Sequence, residues 1–124
     1  MNYPEHVQDA IFELHARFCR ALAHPVRLKA IDALRQGEKS AGELQAYVGT
    51  SKANLSQHLA TLRQQRIVYA RREGVHLYYR LAHPRLVELC DTVQELLAAQ
   101  LAEDERLSQA LQQEHAKPQT SPEH

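Results

Sequence analysis

Apolar positions recur at helical intervals through most of this chain. Val7, Ile11, Leu14 and Phe18 return every three to four residues, which predicts a first helix over residues 5–22 with one buried stripe. His24-Pro25 interrupts it, with His24 read as a turn or capping residue. Because proline suits a first helical turn, "PVRLKAIDALRQG" follows as a second helix that Gly37 ends, with Val26, Ile31 and Leu34 facing inward. Ser40 and Glu43 have the spacing of a capping box, so a short third helix starts there and stops at Gly49. Thr50 or Ser51 then caps a fourth helix in "TSKANLSQHLATLRQQ", whose apolar side is filled by Leu55, Leu59 and Leu62. Only Val48-Gly49-Thr50 separates the third helix from the fourth, the short glycine-containing link expected of a helix-turn-helix.

The pattern then changes period. "IVYARREGVHLYYRL" is rich in β-branched and aromatic residues and is broken by Glu73-Gly74, which predicts a β-hairpin with a charged tip. Tyr78 and Tyr79 alternate across its second strand, so one belongs to the core and the other to the surface. After His83-Pro84 a long last helix begins, in which Leu86, Cys90, Val93, Leu97 and Leu101 repeat at coiled-coil-like intervals and offer a dimer seam. The expected fold is mainly α with a small β-hairpin, a winged helix-turn-helix ordered as four helices, two strands and a fifth helix. It occupies residues 1–113, and the polar, proline-containing segment 114–124 is expected to be disordered.

Composition narrows the function. A chain of 124 residues, 44% apolar and 24% charged, fits one domain with a modest core, of a size that gains stability by dimerising. No apolar run approaches the roughly 18 residues of a membrane span. The N-terminus "MNYPEHVQDA" lacks the basic region and apolar segment of a secretory signal, so a cytoplasmic location is expected. The net charge of zero is a cancellation between regions. Residues 51–82 hold six basic side chains (Lys52, Arg63, Arg66, Arg71, Arg72 and Arg80) against Glu73 alone, a balance of +5, whereas residues 83–124 balance at −5. Such asymmetry suggests one face that meets a polyanion and another that does not.

The polar side of the fourth helix carries no carboxylate. Phosphates would repel acids there, whereas Ser51, Lys52, Asn54, Ser56, Gln57 and His58 can donate to phosphates or to base edges. A helix-turn-helix presents the start of its second helix to the major groove of DNA, which makes these six the candidate contacts, with Asn54 and Gln57 able to make two-point contacts to adenine. Arg71 and Arg72, near the hairpin tip, are the candidate wing contacts to flanking phosphates or the minor groove. A polar outer face alone is also what any solvated helix shows; the basic hairpin beside it favours DNA. The chain has no CxxC, no HExxH, no phosphate-cradling glycine loop and no strand-framed nucleophile, so no enzymatic role is expected.

The segments "ALAHPVRLKAIDAL", "SAGELQAYVGTSKANLSQHLATLRQQRIV" and "ARREGVHLYYRL" together resemble successive signatures of the ArsR/SmtB family of bacterial transcriptional repressors, from about Phe18 to Cys90. The resemblance implies a homodimer, joined through its first and last helices, that binds double-stranded operator DNA of inverted-repeat symmetry and leaves it when an inducer binds.

The family's metal sites do not carry over. Where many members place a cysteine pair in the third helix, this chain has Gln45 and Tyr47. Where others place Asp-x-His and a later His-x-x-Glu in the last helix, Asp91 is followed by Thr92 and Val93, and no histidine lies between Pro84 and Glu114. What remains is Cys19 in the first helix and Cys90 in the last. If those helices meet at the dimer core, the two thiols can form a disulfide or polysulfide bridge or hold a thiophilic metal or metalloid, and so act as the inducer-sensing pair. His15, one turn before Cys19, is a weak candidate for completing a Cys/His metal set with both cysteines. This resembles the redox- and sulfide-responsive branches of the family but departs from them, because their first cysteine aligns near Asp32. Packed, inert thiols and a different inducer are the competing reading, since cysteine is among the most buried residue types. A winged helix serving protein or RNA interaction is the other.

Overall fold

The computed structural model describes residues 3–116. Its elements are α1 (Glu5–Leu22), α2 (Pro25–Ala33), β1 (Lys39–Ser40), α3 (Ala41–Val48), α4 (Lys52–Gln64), β2 (Val68–Glu73), β3 (His76–Leu81) and α5 (Leu86–Ala116). Every predicted element is present in the predicted order. The differences are small. Helix α2 stops at Ala33 and unwinds through a turn in which the Gly37 amide donates to the Leu34 carbonyl at 3.1 Å. Two residues, Lys39 and Ser40, add a strand that no alternation of side chains announces; they pair antiparallel with Tyr79 and Tyr78, giving the sheet order β1-β3-β2. Helix α5 runs to Ala116, and the rest of the 114–124 segment expected to be disordered lies outside the described residues.

Local chemistry explains the boundaries. His24 is the N-cap of α2, its Nδ1 accepting from the Val26 amide at 3.1 Å, with Pro25 in the first turn. Ser40 and Glu43 form the capping box of α3 in both directions: Glu43 N donates to Ser40 Oγ at 3.1 Å, and Ser40 N donates to Glu43 Oε1 at 3.0 Å. Gly49 ends α3 in the left-handed region at φ +74°, where a side chain would be strained, and this redirects the chain into α4 within two residues. The hairpin turns at Gly74, φ +63°, with Glu73 opposite His76.

The chain through Val87 forms one compact unit, and α5 from Glu88 onward forms a second. The core of the first is apolar: Ile31 and Leu34 from α2 and its turn, Leu44 and Val48 from α3, Leu55, Leu59 and Leu62 from α4, Ile67 and Val68 entering β2, and Tyr79 and Leu81 from β3. Each such side chain contributes about 1.5–3 kcal/mol on burial. These contacts clamp α4 against α2 on one side and the hairpin on the other, which fixes the pose of its outer face. Of the tyrosine pair, Tyr79 is the buried member and Tyr78 is half-buried.

Helix α1 departs from the buried stripe expected of it. Ala21 is buried, but Leu14 and Phe12 are 55% and 61% exposed. In α5, Leu89, Val93, Leu96, Leu97, Leu101, Leu107 and Leu111 are likewise exposed. No helix among the described residues is long and apolar enough to cross a membrane.

Candidate nucleic-acid interface

The outer face of α4 is built from its cap forward. Ser51 is the N-cap and accepts from the Asn54 amide at 3.1 Å, while Asn54 Nδ2 donates to Thr50 Oγ1 at 2.8 Å, so the first turn is stitched back to the link from α3. With Leu55, Leu59 and Leu62 turned inward, Lys52, Ser56 and Gln57 are left exposed on the opposite side. Asn54 is half-buried, and the bond to Thr50 leaves it less of its amide for an outside partner than Gln57 has. Between this face and the hairpin runs an open cleft of about 450 Å³, lined by Ser40, Gln45, Lys52, Ser56, His76 and Tyr79 among others.

His58 points elsewhere than its neighbours. It is half-buried and stacks against His24 with ring centroids 4.1 Å apart. Its Nδ1 accepts from Arg27 Nε at 3.2 Å, and Arg27 also donates through Nη1 to the carbonyls of Ala21 and Arg20, at 2.9 and 3.3 Å. Burial, then the nearby His24 and the Arg27 guanidinium, push the His58 pKa below its usual 6.5. No spacing in the sequence shows this cluster, because Arg27 and His58 lie 31 residues apart.

In the hairpin, Arg71 and Arg72 take opposite faces. Arg71 is engaged by carboxylates: it donates to Glu38 through Nε and Nη2, the latter at 2.7 Å, and through Nη1 to Glu73 at 2.8 Å, and it lies 4.5 Å above the Tyr78 ring. Glu38 and then Glu73 hold the guanidinium in its charged form, raising its pKa further. One step along the same face Arg80 lies 4.6 Å above Tyr69, so the registers Tyr69↔Arg80 and Arg71↔Tyr78 make a ladder of alternating arginine and tyrosine. The regional charge pointed to basic residues here; that Arg71 is neutralised by Glu38, outside the region, could not be read from it. Arg72 is exposed, opposite Leu77.

His15 and Cys19 are both exposed on α1, and Cys90 is half-buried on α5; both cysteines stand as thiols. Among the described residues no three His, Cys, Asp or Glu side chains are gathered so as to hold a metal ion. In α3, the Tyr47 hydroxyl donates to the Asp32 carboxylate, which itself pairs with Arg35 at 3.1 Å.

Comparison with known proteins places this geometry. Residues 24–70, which span α2 through the start of the hairpin, match the family described as bacterial regulatory protein, arsR family. The HTH-type transcriptional regulator Rv0081 of Mycobacterium tuberculosis is 36% identical over 77% of this chain and 84% of its own. Its crystal structure superposes with a TM-score of 0.68, at 37% identity over 76% of this chain and 95% of that one. A homodimeric winged helix-turn-helix DNA-binding domain from Mycobacterium bovis gives a TM-score of 0.69 at 31% identity, covering 83% and 95% of the two chains. The transcriptional repressor BigR of Xylella fastidiosa gives 0.66 at 31% identity, covering 76% and 96%. These relatives are regulators and not enzymes, and with identity and coverage at this level the chain belongs to the ArsR family of bacterial regulatory proteins, on a winged helix-turn-helix fold.

Proposed function

We propose that this protein is a homodimeric transcriptional repressor that binds an inverted-repeat operator and releases it on an inducing signal. The observation that carries the reading is the outer face of α4, where Lys52, Ser56 and Gln57 stand exposed on a helix without a single carboxylate, flanked by a cleft and a basic wing. Ser51 and Asn54 contribute at the helix start, and Arg72 is the wing residue best placed to meet a flanking phosphate. Homodimerisation is supported by the M. bovis neighbour, a homodimeric domain, and by the exposed Phe12 and Leu14 of α1 and leucines of α5, which a second copy would cover. A two-fold axis sets the two recognition helices about 34 Å apart, one turn of B-DNA.

The signal we favour acts on thiols at Cys19 and Cys90. A disulfide donor would join two protein sulfurs and leave as two thiols; a sulfane-sulfur donor or a thiophilic metalloid would act on the same pair. Either event would shift α1 and α5, and with them the spacing of the recognition helices. The test is fluorescence anisotropy of the reduced protein on its own upstream DNA, repeated with a disulfide or persulfide donor and, separately, arsenite and zinc. Sequence-selective binding that falls steeply with salt is expected, with release by one of these agents. Absence of duplex binding overturns the repressor reading; binding that none of them disturbs overturns the thiol signal.

A further inference from the structure

We propose that His58 is a positioning residue of the recognition helix and not a reader of DNA: as a neutral acceptor for Arg27 it ties α4 to the C-terminal end of α1, and protonation loosens that tie. The argument is geometric. Arg27 spans three elements with one side chain. It stands in the first turn of α2, gives its Nη1 to the final carbonyls of α1 and gives its Nε to the His58 ring on α4. The His24 ring packs against His58 with centroids 4.1 Å apart, and its own Nδ1 is occupied in capping α2. Both histidines therefore use Nδ1 as an acceptor, which places the ring proton on Nε2 of each.

A second proton on His58 has to enter at Nδ1. It would set an N–H against the Arg27 N–H and a positive ring against a guanidinium, so the bond is lost and replaced by repulsion. The charged and titratable groups facing His58 are Arg27 from α2 and His24 from the junction between α1 and α2; α1 reaches the cluster through the carbonyls of Arg20 and Ala21. Neither His24 nor Arg27 is an acid, so neither offsets the new charge. Stability from the neutral ring is present above the unfolded histidine value of about 6.5 and is lost as pH falls through the lower folded value.

The functional consequence rests on the DNA-binding reading above, and it has a sign. A histidine that touched phosphates would tighten DNA binding when protonated. A histidine that must stay neutral to hold α4 would weaken it. We expect operator affinity of the reduced protein, by anisotropy, to fall several-fold between pH 7.5 and 5.5, as the Arg27–His58 tie is lost on protonation. In His58→Asn, whose amide oxygen can accept from Arg27 without titrating, the affinity at pH 7.5 should be kept and the pH dependence flattened. An unchanged or tighter complex at pH 5.5, or the same fall in His58→Asn, overturns the proposal. Thermal melting without DNA separates the two readings. If no duplex is bound at any pH, the DNA-binding reading fails. The tie still stands if acidification lowers the wild-type midpoint more than that of His58→Asn, and it falls if the two midpoints move together.

Discussion

Arg71 and Glu38 form the tightest ion pair of the wing, Nη2 to Oε1 at 2.7 Å, and it joins β2 to the segment that leads into β1. The pair fastens the hairpin and also takes a cation out of the basic face. Glu38→Gln removes one of the two carboxylates on Arg71, leaving Glu73, and adds one net positive charge to the wing. We expect tighter binding to all duplexes, a smaller preference for the operator, and a salt slope steeper by about one. Arg71 holds the Glu38 carboxyl below its usual 4.5, so the pair stays ionised across the range in which histidines titrate. An unchanged salt slope would show that Arg71 does not reach phosphate even without Glu38.

On the proposed DNA-binding reading, Gln57 reads bases and Arg72 grips the backbone. Gln57 is exposed on the acid-free face, so Gln57→Ala should cost about 1–3 kcal/mol on the operator and relax its specificity. Arg72→Ala should weaken every duplex alike and reduce the salt slope by about one. Anisotropy titrations on operator and scrambled DNA at several salt concentrations separate the two. If neither change moves operator affinity, α4 is not the helix in the groove.

How far the sequence foretold this division depends on range. The helices, their caps and the hairpin were legible because each is written within a few neighbouring residues: Ser40 with Glu43, Gly49 before Ser51, Glu73-Gly74 between two β-branched runs. The exposed half of the candidate face, Lys52, Ser56 and Gln57, followed from the same periodicity. What escaped was set by residues far apart. The strand at Lys39–Ser40 exists only because β3 pairs with it, and His58 turns inward only because Arg27 and His24 arrive beside it. The pairing of Arg71 with Glu38, 33 residues away, is likewise invisible to local pattern.

Ser51 separates folding from recognition. Its hydroxyl caps α4 through the Asn54 amide, so Ser51→Ala should cost about 1 kcal/mol and lower the melting midpoint by a few degrees. Ser51→Asp should restore the cap, since aspartate accepts as well and favours a helix N-terminus. The same carboxylate would face DNA phosphates, so operator binding should weaken although the protein is stable. Equal DNA affinity for Ser51→Asp and wild type would mean that the start of α4 stands away from the backbone.

The cysteines yield the last prediction, and their surroundings order it. Cys19 is exposed in the single chain and Cys90 is half-buried, so a maleimide should label Cys19 first, and the lead should shrink under conditions in which the dimer covers α1. If a thiol bridge is the signal, Cys19→Ser and Cys90→Ser should each bind the operator as the wild type does and each lose release by the persulfide or disulfide donor, because a bridge needs both sulfurs. Loss in Cys19→Ser alone would point to a modification of one exposed thiol without a partner. Normal release in both variants would return the cysteines to packing and leave the inducer to be sought on another surface. The two substitutions must be read together, since either alone cannot tell a bridge from a single modified sulfur.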